Sequence, residues 1–319
     1  MAQQAASRRA FLRSAGRFGA AVLASGAVDG DWLFAQAQAS AADALRARMG
    51  VLPIQKTPLG RGITMLAGPG GNVVVLQSPA GKILVDGFLK PAWPKLKAEL
   101  DALDGSPIKS LIDTHWHLDH ADNNGNARAD GAGVIAHDNT RKRLLEPHDL
   151  AGMHFDPVPS ADIPTQTFAS GLTLNATVEQ IRLQRIAPAH TDTDIFVHFP
   201  KANVLHMGDV FFNGFYPFID VSTGGHINGM IDGVTSALQI ANATTKVVPG
   251  HGPAGDLEAL RAYGRMLAGI RDKVRTLKAS GKSLADVKAA KPSADYDARW
   301  GTGGVPADAF VEVVYTTVR

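Results

Sequence analysis

From about residue 60 onward, short apolar runs alternate with clusters of turn residues. Ile63-Thr64-Met65-Leu66 and Val73-Val74-Val75-Leu76 flank Gly68-Pro69-Gly70-Gly71, which predicts two strands joined by a turn or short loop. Ile83-Leu84-Val85-Asp86 follows the next turn as a further strand, and 94–103 reads as a helix. The apolar run that begins at Ile108 leads straight into His115, and Val134-Ile135-Ala136 precedes a basic helix near 140–145. Residues 146–164 hold four prolines and predict an irregular loop beside an opening. In the second half, strands are expected at 172–177, 178–183, 195–199 and 204–207. Ile227, Met230, Ile231, Val234 and Leu238 share one helical face. A longer helix carries Leu257, Leu260, Leu267, Ile270, Val274 and Leu277, opened by Asp256 as N-cap and closed near Gly281. Strands precede helices in both halves, and no G-x-G-x-x-G follows a strand. The pattern therefore predicts an α+β fold of packed sheets with helices outside, not an alternating nucleotide-binding chain.

Composition narrows the chemistry. With no cysteine in 319 residues, disulfides, thiolate nucleophiles and cysteine-held metals are excluded, so a metal must be held by His, Asp or Glu. The 32 basic and 30 acidic residues nearly cancel, which gives no reason to expect a nucleic-acid partner.

The first residues read as an address. Ser7-Arg8-Arg9-Ala10-Phe11-Leu12-Arg13 resembles the twin-arginine export motif, with a short apolar stretch behind it and A-x-A sequences at Ala35-Gln36-Ala37 and Ala37-Gln38-Ala39. A basic surface helix is the plainer reading, and the Phe-Leu placement and A-x-A ending count against it. The resemblance implies a signal peptide over 1–39 and a domain over 40–319 that crosses to the periplasm already folded. Its partner on the way would be the twin-arginine translocase. The apolar stretch is too short to anchor the mature protein in a membrane.

Thr114-His115-Trp116-His117-Leu118-Asp119-His120 is the decisive segment: three imidazoles and a carboxylate within six residues, directly after an apolar strand. Crowded buried histidines without partners are costly, and a metal would remove that cost. In an extended segment His115 and His117 point the same way and can share one ion, while Asp119 and His120 turn toward a second position. Imidazole and carboxylate suit zinc, with iron and manganese as alternatives.

This His115-x-His117-x-Asp119-His120 run resembles the signature of the metallo-β-lactamase superfamily, and later motifs keep the family order. Asp86 at a strand end, Ala189-His190-Thr191-Asp192, Met207-Gly208-Asp209 and Pro249-Gly250-His251-Gly252 resemble its other motifs, so the likeness spans about residues 60–270. It implies a four-layer αββα sandwich with C-terminal helices. It implies one ion on His115, His117 and His190, a second on Asp119, His120 and His251, and Asp209 bridging both. Asp86 would orient ligands by hydrogen bonds. Alone, His190 and His251 would read as surface or capping residues and Asp209 as a loop residue.

Two zinc ions sharing a hydroxide would cleave an ester, thioester, lactone or amide of a small molecule, with Asp119 as the catalytic residue that orients the hydroxide or takes its proton. A periplasmic β-lactamase is the alternative, weakened because Asp209 resembles the bridging residue of glyoxalase-like and lactonase-like members. A mononuclear iron oxidoreductase of the persulfide dioxygenase type is a third reading. His226, Phe212 and Tyr216 are expected at the substrate, with core packing as the plainer role for the aromatic pair. His198 and His206 read as packed residues, His137 as a cap, and His148 and His154 as exposed loop residues.

Overall fold

Seven strands make the first sheet: β1 (Gln55–Gly60), β2 (Ile63–Ala67), β3 (Asn72–Leu76), β4 (Lys82–Val85), β5 (Ile108–Ile112), β6 (Gly133–His137) and, after a small hairpin of β7 (His148–Leu150) and β8 (Met153–Phe155), β9 (Gln166–Phe168). Five more, β10 (Gly171–Asn175), β11 (Gln180–Arg185), β12 (Ile195–Phe199), β13 (Val204–His206) and β14 (Lys246–Val248), make the second sheet in sequence order. This computed structural model describes residues 41–318, which lie within one compact unit. The expected signal peptide falls outside the described residues.

The helices are α1 (41–50), α2 (Trp93–Leu103), α3 (Leu118–Ala121), α4 (Asn124–Ala129), α5 (Asp138–Leu144), α6 (Ile227–Ile240) and α7 (Leu257–Ala279), followed by α8 (Leu284–Ala289), α9 (Ala294–Trp300) and α10 (Ala307–Thr317).

Side-chain alternation builds the layers. In β3, Val74 and Leu76 join the core between the sheets while Val73 and Val75 face the opposite way, onto Leu96 and Leu100 of α2. In β12, Ile195, Val197 and Phe199 enter the inter-sheet core and Phe196 faces the helices. Strands buried on both faces read as unbroken apolar runs, which is why β3 and β4 carry no polar alternation. Beyond the second sheet, α6, α7 and α10 form the outer helical layer through Met230, Val234, Leu267, Ile270 and Val314. The order is helix, sheet, sheet, helix, as the α+β αββα expectation has it.

Two local features follow their sequence cues. Asp256 caps α7 by accepting from the Ala259 N–H at 2.8 Å, and Gly281 adopts φ +80° just beyond the helix end. One expectation is corrected: 146–164 is not wholly irregular, because β7 and β8 pair across Ala151 and Gly152, both at positive φ.

Parallel pairing positions the site. β4 runs parallel to β5, and β13 runs parallel to β14, so each pair delivers its C-terminal residues to the same edge. Asp86, Asp113 to His115, Met207 to Asp209 and Pro249 to His251 all follow those ends. Two backbone bonds stitch this edge: Ile195 N–H to Thr114 C=O at 3.0 Å and Asn72 N–H to Gly250 C=O at 2.7 Å.

Candidate metal centre

Two clusters of ligand-type atoms meet at this edge. His115, His117, His190 and Asp209 form one, and Asp119, His120 and His251 the other; within each, the atoms lie within 4.8 Å of one another. Asp209 stands between them. Its Oδ2 lies 3.5 Å from His190 Nε2, 3.9 Å from His115 Nε2 and 3.2 Å from His251 Nε2, while its Oδ1 lies 3.3 Å from His120 Nε2. Asp119 Oδ2 lies 3.3 Å from His251 Nε2 and 3.6 Å from His120 Nε2. Ligands placed tetrahedrally about 2.0–2.1 Å from one ion are about 3.3 Å apart, close to these separations.

Hydrogen bonds fix which nitrogen each ring turns inward. His120 Nδ1 meets Asp86 Oδ2 at 2.8 Å, and His190 Nδ1 meets the Phe218 carbonyl at 2.8 Å, which leaves both Nε2 atoms facing the site. His117 is turned the other way: its Nε2 meets Asp220 Oδ2 at 3.3 Å, and its Nδ1 faces His190 Nε2 at 2.9 Å. His115 Nδ1 meets Thr114 Oγ1 at 3.1 Å. Such partners set tautomer and orientation together.

The buried atoms left over test whether a metal fits. His115 Nε2, His120 Nε2 and Asp209 Oδ1 are buried without a hydrogen-bond partner. An unsatisfied buried polar atom costs about 1–3 kcal/mol, so three converging on one space mark a place for a cation. The donor set is imidazole and carboxylate, which suits a divalent metal.

Without an ion the two clusters hold their protons differently. Burial pushes His115 well below the usual imidazole range and His190 down to about 4, so these rings present free lone pairs. His251 is pushed up to about 10: burial opposes its charge, and the Asp209 and Asp119 carboxylates outweigh burial. His120 is raised well above its ordinary value in the same way, against burial, by Asp119, Asp86 and Asp209. A divalent ion entering the second cluster would replace those protons.

Asp86 is the hub beneath the site. Fully buried, it accepts from the Thr114 N–H at 2.7 Å and the Thr114 hydroxyl at 2.9 Å as well as facing His120. It does so at φ +64°, a left-handed conformation an Asp tolerates only where its surroundings determine it. Gly250 is required by close approach, since a Cβ there would collide with the Asp209 carboxylate.

Two supporting carboxylates were not assigned from sequence. Asp220 holds His117 while accepting from the Ser222 N–H at 3.0 Å and from the Ser222 and Thr223 hydroxyls at 2.5 Å each. Asp194 ties the His190 loop by accepting from the His190 and Thr191 N–H groups at 2.8 and 2.9 Å. The Asp-x-Ser-Thr and Thr-Asp-Thr-Asp runs are turn signals that could have pointed to both.

The remaining expectations divide. Phe212 lines the cleft above the clusters and stacks on His251, 5.2 Å between centroids and 9° apart. Tyr216 borders the same cleft but is fully buried, stacked on Phe310 at 4.8 Å with its hydroxyl donating to Asp297 at 2.8 Å, so it backs the wall. His226, expected at the substrate, caps α6 by accepting from the Gly229 N–H at 2.9 Å. His137 caps α5, as its place before a helix predicts.

Residues 67–280 match the sequence model of the metallo-beta-lactamase superfamily. The chain belongs to that superfamily. Its members are metal-dependent hydrolases, and the enzyme class follows. A metallo-beta-lactamase from Pontibacter korlensis superposes with a TM-score of 0.56 at 17% identity, over 68% of this chain and 99% of that one. The DIM-1 metallo-beta-lactamase gives 0.55 at 19% identity, over 68% and 98%. A double mutant of the sec-alkyl sulfatase PisA1 gives 0.61 at 13% identity, over 82% of this chain and 50% of that one. At these identities the likeness is one of fold. Among curated proteins none is a significant match.

Proposed function

We propose that the protein is an exported hydrolase that holds two zinc ions and cleaves an ester, thioester, lactone or amide bond of a small molecule. The observation that carries this reading is Asp209, whose two oxygens face both clusters while His115 Nε2 and His120 Nε2 point inward without partners. His115, His117 and His190 would hold one ion, Asp119, His120 and His251 the other, and Asp209 would span them. When bound, a pair of divalent ions supplies Lewis acidity for the carbonyl and makes water acidic enough to give hydroxide near neutral pH. Asp119, partly open to the cleft, would orient the attacking water or take its proton. In the metal-free protein burial opposes its charge, and His120 and His251 outweigh burial, holding its carboxyl well below the usual range.

Metal analysis and chelation test this reading together. Two zinc ions per chain are expected, and stripping them should abolish turnover. Loss of a ligand at about a hundred times its Kd removes about 2.7 kcal/mol, which in a domain of this size lowers Tm by about 5 °C. One iron per chain, or a melting point indifferent to chelation, would overturn the dizinc assignment.

The export half of the proposal rests on Arg8 and Arg9 with the A-x-A run after them. No helix among the described residues is long and apolar enough to cross a membrane. Replacing both arginines with lysine is expected to leave the longer precursor in the cytoplasm, read by fractionation and intact mass. Unchanged processing and periplasmic recovery would sink this part alone.

A further inference from the structure

The cleft over the metal clusters says more about the substrate than the clusters do. It encloses about 420 Å³, within the range of small-molecule sites, and its floor includes His117, Asp119, Asp209 and His251. Its walls are apolar. Phe212, Phe215 and Phe218 come from the segment after Asp209, and Leu150 and Met153 come from the β7–β8 hairpin. Among the described residues that line it there is no Lys or Arg.

The cations of the neighbouring cavity, which shares Leu118 and Leu150 with this cleft, are already committed. Arg46 pairs with Asp122 at 2.8 Å, Arg143 with Asp192 at 2.8 Å and Lys90 with Asp162 at 3.1 Å. A carboxylate carried on the substrate away from its scissile bond would therefore enter an apolar wall without a counter-charge, which is costly.

We infer that the substrate is an uncharged acyl compound of the classes proposed above whose acyl or alkyl part is an apolar chain or ring. This rests on the hydrolase reading above and narrows it. Hydrolysis adds the oxygen of water to the carbonyl carbon, breaks the bond from that carbon to the leaving oxygen, sulfur or nitrogen, and yields a carboxylic acid and an alcohol, thiol or amine, the proton of water going to the leaving group. The apolar part packs against the phenylalanine rings and the hairpin, where each buried methylene is worth about fourfold in binding. Penicillins and carbapenems bear a ring carboxylate and glutathione thioesters bear two, so both classes bring the charge this cleft does not pair.

The test uses zinc-loaded protein and p-nitrophenyl esters of acetate, butanoate, octanoate and octanedioate, the last with a free carboxylate at its far end. kcat/KM is expected to rise with chain length and to fall about tenfold or more for octanedioate against octanoate. Met153→Lys should shrink that ratio by placing a cation in the wall. Equal turnover of the two eight-carbon esters, a flat chain-length series, or a preference for penicillin or octyl sulfate would overturn the inference. Calorimetry with 2-octanone and 7-oxooctanoate, which cannot be hydrolysed, reads the cleft without chemistry, and the ketone should bind about tenfold tighter. Inert esters with that binding preference intact would count against the hydrolase reading and leave the cleft assignment standing. Equal binding would remove it.

Discussion

Asp209→Asn is expected to lower kcat on the order of 10²- to 10³-fold while keeping the fold. The substitution preserves size and removes one negative charge from the site proposed to hold two dications. It also turns an acceptor into an amide whose N–H₂ must face imidazole nitrogens 3.2 to 3.9 Å away. In the protein this carboxyl sits well below its ordinary range: burial opposes ionisation, and the protonated His251 and His120 outweigh it. Losing the charge weakens whichever ion is held less firmly, so metal titration should show one site weakening with turnover. A panel of esters, thioesters, lactones, penicillins and carbapenems, run on wild type and variant, reads substrate class as well. Efficient carbapenem turnover with little activity elsewhere would reverse the ranking of ester hydrolase over β-lactamase. Activity indifferent to Asp209→Asn on every substrate would remove the bridge.

The metal cluster was legible because its members announce themselves. Four of the seven proposed ligands occupy one heptapeptide, and the other three sit in short turns at strand ends that contain Gly, Pro or both. Apolar runs such as 73–76 also identified their strands, because a strand buried on both faces has few polar positions to confuse it. Less visible was the support under the ligands. Asp220 lies more than a hundred positions from the histidine it orients, at |i−j| = 103, and only the folded chain brings the two together. The β7–β8 hairpin escaped for a different reason. Its strands are three residues long, in a Pro-rich and largely polar stretch, so neither periodicity nor propensity has room to register. His226 carries a second role that a helix start also signals. Its position beside Gly224 and Gly225 suited a site loop, and in the folded chain its side chain caps α6.

Asp119→Ala and His120→Ala test the second ion from two directions. Each is expected to lower the metal content from two ions toward one and kcat on the order of 10²-fold or more, with the His115, His117 and His190 position still loaded. The pair differ in what else they disturb. Asp119 is 21% exposed, so its loss takes a counter-charge from His120 and His251 in the chelated protein but opens no fully buried void, and Tm should fall less than on loss of His120. His120 is fully buried and meets Asp86 at 2.8 Å. Removing it takes one partner from a buried carboxylate and opens a void, which costs about 1–3 kcal/mol in the metal-free protein as well. The expected pattern is therefore equal loss of metal from the two variants with unequal loss of apo stability. Two tightly bound ions retained in both would contradict the ligand assignment. A melting point lowered in His120→Ala with metal content unchanged would make that residue a structural partner of Asp86 and nothing more.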